Sequence, residues 1–178
     1  MSRPGEALLR ELAEAELRRD PLCARLTPAQ RAAVCATAAE RGRRLAEPYR
    51  GACPRALAFA LGAGVRIDAG ERRVAGNRTF AEYDAEARMI SVCAAAIHEV
   101  AGQLQARGRR GDNRDAALNL LIAHELYHHL EGKRMDRSTD NGLTVRVPLL
   151  GGLLSARRRL RAADEIAAHS FAFDVCGA

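Results

Sequence analysis

At 178 residues and 48% apolar, the chain has the size and composition of a single globular domain, 1–178, able to bury a core. It contains no run of 18 apolar residues and no signal-like N-terminus, so a membrane span is excluded and a cytoplasmic location is expected. Its net charge of +6 is carried by arginine, with Lys133 the sole lysine. The clusters at Arg41, Arg43 and Arg44, at Arg107 to Arg114, and at Arg157-Arg158-Arg159 with Arg161 read as solvated faces or as contacts for acidic partners, nucleic acid among them.

Aromatic residues are only 4% and Trp is absent, so alanine and leucine must fill the interior, which favours close-packed helices. Cys23, Cys35, Cys53, Cys93 and Cys176 include no C-x-x-C pair, which excludes a zinc ribbon and argues against a disulfide framework. They read as small buried fillers in a reducing compartment.

In chain order, 5–19 is an amphipathic helix stopped by Asp20-Pro21. Thr27-Pro28-Ala29-Gln30 is a capping box opening a second helix to about Arg44. A short helix over Pro54 to Leu61 ends at Gly62 and Gly64, and Val65 to Asp68 is a strand. Gly70 to Asn77 reads as a loop with room for a short edge strand. Thr79 to Asp84 and Arg88 to Val92 form a hairpin. Cys93 to Arg107 is helical, and Asp112 or Asn113 caps a central helix that ends at Gly132. Residues 133–154 read as an irregular excursion, with a lid as one use, and Ser155 as the cap of a last helix reaching about Phe173. The fold class expected is α+β, mainly helical, with a small mixed or antiparallel sheet packed on the central helix.

That central helix contains His124-Glu125-Leu126-Tyr127-His128, an H-E-x-x-H pattern. Histidines four apart on a helix share one face and can close on one metal ion, and the intervening glutamate is placed to take a proton from water there. The helix is apolar nearly all round, through Leu118, Ile122, Leu126 and Leu130, and so is expected to be buried. Buried imidazoles and a carboxylate need strong partners, and zinc would satisfy all three. A third ligand must come from elsewhere. Arg134 occupies the position six after His128, and Glu131 lies roughly 10 Å along the helix from His124 at 1.5 Å per residue. The last helix offers Asp164, Glu165, His169 and Asp174, and Glu165 and His169 share a face.

Glu165-Ile166-Ala167-Ala168-His169-Ser170-Phe171-Ala172 resembles the E-x-x-A-N-x-F-A run that follows H-E-x-x-H in ImmA/IrrE-like zinc metallopeptidases, which are of gluzincin type. The resemblance covers about 50–174 as a metallopeptidase-like core and leaves 1–45 as an N-terminal helical extension. It implies zinc held by His124, His128 and Glu165, with Glu125 as general base. It also implies an intracellular protein or peptide substrate, a transcriptional repressor being one candidate. His169 stands where the family has asparagine, and Tyr127 where glycine is common. Oxyanion stabilisation is open among Tyr83, Tyr127 and His129, the last also reading as an ordinary hydrogen-bonded helix residue. A strand of the hairpin is available to hold substrate in extended form. The alternatives are a non-catalytic zinc-containing protein-binding domain and a nucleic-acid-associated regulator using the arginine clusters.

Overall fold

A computed structural model describes residues 4–70, 72–74, 77–133, 143–149 and 154–177. Helix α1 (Pro4–Arg19) stops where Asp20 turns the chain, its Oδ1 accepting from Leu22 N at 2.9 Å to cap a 3-10 turn over Pro21–Arg25. The capping box forms as read. Thr27 Oγ1 accepts from Gln30 N at 3.2 Å, Gln30 Oε1 accepts from Thr27 N at 2.8 Å, and α2 (Pro28–Ala46) follows. Helix α3 (Pro54–Ala60) is released at Gly62, whose φ of +77° a side chain would resist.

Strands β1 (Gly64–Asp68), β4 (Ala81–Asp84) and β5 (Met89–Cys93) make a mixed sheet in the order β1-β5-β4. β5 is parallel to β1 and antiparallel to β4. It takes the middle because it carries the sheet's most apolar run, and Ile90, Val92 and Cys93 are buried. The β4–β5 turn is tied by Asp84 Oδ1, which accepts from Glu86 N and Ala87 N, both at 2.9 Å. The stretch read as a loop with room for a short edge strand supplies β2 (Arg72–Val74), which pairs with β3 (Asn77–Thr79) in a two-stranded ribbon.

Helix α4 (Ala94–Ala106) follows β5 directly. Asp112 caps the central helix α5 (Asn113–Lys133), its Oδ1 accepting from Arg114 N and Asp115 N. Beyond it the expectations need correcting. Residues 134–142 and 150–153 lie outside the described residues. The rest of the supposed excursion is an antiparallel pair, β6 (Thr144–Leu149) and β7 (Leu154–Arg159), with Leu149 opposite Leu154. Ser155 therefore belongs to a strand and caps nothing. The last helix, α6 (Arg161–Cys176), begins six residues later, after Leu160, and ends at Gly177. The alternation in Thr144 to Leu149 and the glycine pair Gly151-Gly152 suit a hairpin.

The N-terminal helices pack on α6, and small residues permit close approach. A Cβ at Gly42 of α2 would run into the backbone oxygen of Ala167, and Ser170 Oγ donates to Ala39 O at 2.8 Å. Val34, Ala38, Leu45, Ala163, Ala167 and Phe171 fill this interface, the alanine-rich core that the composition demands. On its other side α6 packs on α5, and α5 lies across β4 and β5. Cys23 and Cys93 are buried and all five cysteines are free, but Cys53 is exposed at the start of α3, contrary to the expectation for a core filler. Several arginines of the clusters close on acids of the fold, among them Arg43 and Arg44 on Glu40 and Arg107 on Glu11. Among the described residues, no helix is long and apolar enough to cross a membrane.

Candidate metal centre

His124, Glu125 and His128 come from the middle of α5, and Glu165 comes from the second turn of α6, where that helix crosses α5. Turns of a regular helix place His124 and His128 on one face, with ring centroids 5.2 Å apart. The α6 face delivers Glu165 between them. His124 Nε2 donates to Glu165 Oε2 at 3.1 Å, and His128 Nε2 lies 3.8 Å from the same oxygen. One ligand atom from each of the three falls within 4.8 Å of the others, the only such group among the described residues. Ligand atoms about 2.0–2.1 Å from a tetrahedral zinc stand roughly 3.4 Å apart, so this donor set of two imidazoles and a carboxylate fits a divalent ion with little movement.

The electrostatics point the same way. Burial pushes His124 down to about 4, so it is a neutral imidazole at pH 7. His128 is also opposed by burial, but the Glu165 carboxylate beside it leaves its pKa raised. Burial works against the charge of Glu165, yet the two imidazoles, His124 foremost, hold its carboxyl well below the usual range. Glu125 is only 7% exposed, and burial raises it to about 7, with Glu165 adding repulsion and the Tyr83 backbone N–H opposing. A buried carboxyl near pKa 7 is suited to exchange protons with water at neutral pH.

The surrounding side chains sort themselves. His169 is in the α6 register with Glu165, but stands outside the converging trio. Its ring lies against His124, centroids 4.7 Å apart, and its Nε2 is 3.9 Å from Glu16 Oε1. His129 is 1% exposed, with Nε2 donating to Leu61 O at 3.2 Å and Nδ1 accepting from Tyr83 Oη at 2.6 Å. It thus fits the hydrogen-bonded-helix reading, and it engages the phenol of Tyr83. Tyr127 is buried against Phe171 and beneath the guanidinium of Arg41. Asp174, another sequence candidate, is at the far end of α6 and pairs with Arg50 at 2.9 Å.

One turn past His128 on α5, and one residue before Glu165 on α6, Glu131 and Asp164 pair with arginines instead. Arg41 meets both, Arg159 contacts Glu131, and Arg159 donates to Asp164 at 2.7 Å. Sequence reading set Glu131 aside as a ligand on distance, and had no signal for this cluster, whose arginines come from α2 and β7.

Comparison of the chain with models of protein families, with curated proteins and with solved structures gives no match. The His-Glu-x-x-His helix with a glutamate from a later helix is the arrangement of a zincin-type centre, and that rests on the geometry alone.

Proposed function

We propose that this protein is a zinc-dependent metallopeptidase similar to the ImmA/IrrE-like group, hydrolysing peptide bonds of an intracellular protein, a transcriptional repressor being the candidate substrate. The observation that carries the reading is the meeting of His124, His128 and Glu165 from two helices beside a buried Glu125. The residue run Glu165 to Ala172 supplies the family likeness.

His124, His128 and Glu165 hold the ion. When bound, zinc supplies Lewis acidity, polarising the scissile carbonyl and bringing the pKa of a water toward about 7. Glu125 takes the proton of the attacking water and passes it to the departing amine. Its burial keeps competing solvent away from that carboxyl. Strand β4 is an edge of its sheet and packs on α5, so an extended substrate would add along that edge. Tyr83 Oη gives its proton to His129, so this phenol is not the donor for the oxyanion.

Metal analysis of the purified chain should find one zinc. The zinc-loaded protein should cleave an unstructured protein substrate, or its repressor, in a chelator-sensitive manner. Glu125→Gln should keep the zinc and lose roughly 10²–10⁴-fold in rate, the usual worth of general-base catalysis. A chain that takes up no zinc, or a Glu125→Gln variant as active as wild type, would sink this reading.

A further inference from the structure

The end of α1 reaches the helix that carries Glu165 at two places. Asp20 is buried, and its two carboxylate oxygens serve two different backbone amides. Oδ1 accepts from Leu22 N at 2.9 Å, and Oδ2 accepts from Ala162 N at 3.1 Å, across a sequence separation of 142. Ala162 is the second residue of α6. The residue that should cap this helix is Leu160, whose side chain has nothing to accept with. One turn back on α1, Glu16 faces His169, and the His169 ring packs on His124. Glu16 and Asp20, four residues apart, thus meet α6 on either side of Glu165.

We infer that Asp20 is a positioning residue for Glu165. Its bond to Ala162 N fixes the first turn of α6 in the register that brings the Glu165 carboxylate to His124 and His128. The N-terminal helical segment is then part of the metal centre rather than an appendage to it. The inference rests on the metal-site reading above and assigns the segment that the family likeness leaves without a role. An aspartate suits the position because both amides need an acceptor. An asparagine has one acceptor oxygen and would lose one of the two bonds, and an alanine loses both. The α2 contacts at Ala39 and Gly42 hold the same helix further along, and Arg41 and Arg159 hold the Asp164 side chain in its first turn, so what Asp20 adds there is the acceptor for the backbone N–H of Ala162.

The test uses the full chain as wild type, Asp20→Ala, Asp20→Asn and Thr27→Ala, the last removing a cap of the same kind that serves α2 alone. Zinc affinity is read by competition with a chromophoric chelator. Ligand geometry is read from the absorption spectrum of the cobalt-substituted protein, and the first turn of α6 by amide hydrogen exchange without metal. Asp20→Ala is expected to weaken zinc binding by roughly 10–100-fold, as loss of an outer-shell partner does, to alter the cobalt spectrum and to speed exchange at residues 163–166. Asp20→Asn, close in shape and safer for folding, should change all three in the same direction by less. Thr27→Ala should lower the melting temperature while leaving zinc affinity and the cobalt spectrum as in wild type. Wild-type affinity and spectrum in both Asp20 variants would overturn the inference and leave the metallopeptidase reading standing. So would a loss of zinc in Thr27→Ala equal to that in Asp20→Ala. A wild-type chain that binds no zinc would remove both.

Discussion

Helices α5 and α6 carry two neighbouring clusters of ionisable groups, and the two differ in how their charges balance. At Glu131 and Asp164, two carboxylates meet two guanidiniums, Arg41 and Arg159, and the group is neutral within itself. At Glu125 and Glu165, two carboxylates meet two imidazoles, of which His124 is held neutral by its burial. The first cluster ties α2 and β7 to the helix pair and needs nothing further. In the second, the imidazoles hold Glu165 ionised while burial pushes Glu125 up, and one ligand atom each of His124, His128 and Glu165 converges where a divalent cation would fit. The difference lies in the cations: guanidiniums stay charged and close the first cluster, whereas imidazoles can give up their protons and leave the second open to a metal ion.

The largest expected effect lies among the imidazoles and Glu165. Glu165→Ala should lower zinc affinity by more than the roughly 10–100-fold that an outer partner's loss costs, while His169→Ala should stay inside that range. Titration of both variants with zinc against a competing chelator measures the two. A greater loss in His169→Ala would move the third ligand from Glu165 and break the comparison at its open end.

The charge balance itself is tested by pH in metal-free protein. Glu125 is raised by burial from 4.5 to about 7, so the folded state favours its protonated form. Its stabilising contribution is present below about pH 4.5 and is lost as pH rises through about 7. Glutamine stays neutral throughout. Under chelator, Glu125→Gln should therefore gain stability over wild type as pH increases across that window, by about 3 kcal/mol at most, and should show little gain at pH 4. Glu165, whose carboxyl is depressed, acts in the opposite sense and is common to both proteins. Parallel melting curves at every pH would mean that Glu125 carries no buried charge.

The smallest effect is expected at the closed end. Arg41→Met leaves Glu131 and Asp164 with Arg159 alone. These side chains are partly exposed, so the loss should fall near 1–2 kcal/mol, between the values for surface and fully buried pairs. Denaturant unfolding gives the stability change. Zinc affinity should alter by less than about tenfold, below the effect of either ligand-side change. A zinc loss as large as that of Glu165→Ala would show that the cluster is part of the metal centre.

Much of this was legible along the chain because it depends on neighbours. The capping box at Thr27, the stop at Asp20-Pro21 and the helix ending at Gly62 follow from backbone chemistry within four residues. The β4–β5 hairpin and the His124–His128 spacing follow from periods of two and four. The β6–β7 pair was obscured because the signal is weak between Lys133 and Leu154, and Ser155 looked like a helix cap when taken alone. His129 shows the limit of a single residue's identity: its partners, Leu61 O and Tyr83 Oη, come from α3 and β4.

By itself the sequence determined the helices, the strands of the β1-β5-β4 sheet, the α+β class, and the histidine pair with Glu125 between, since each is set by short-range periodicity and capping. It reduced the third ligand to a few residues on one later helix. The family likeness pointed to Glu165, but only the tertiary structure brings its carboxylate to both histidines while Asp174 pairs with Arg50, because the crossing of α5 and α6 selects which turn faces inward. It also decided that Asp164 and Glu131 are neutralised by Arg41 and Arg159, and that Asp20 caps α6 from 142 residues away. Such contacts join side chains through packing of whole helices, and no local pattern of residues encodes them.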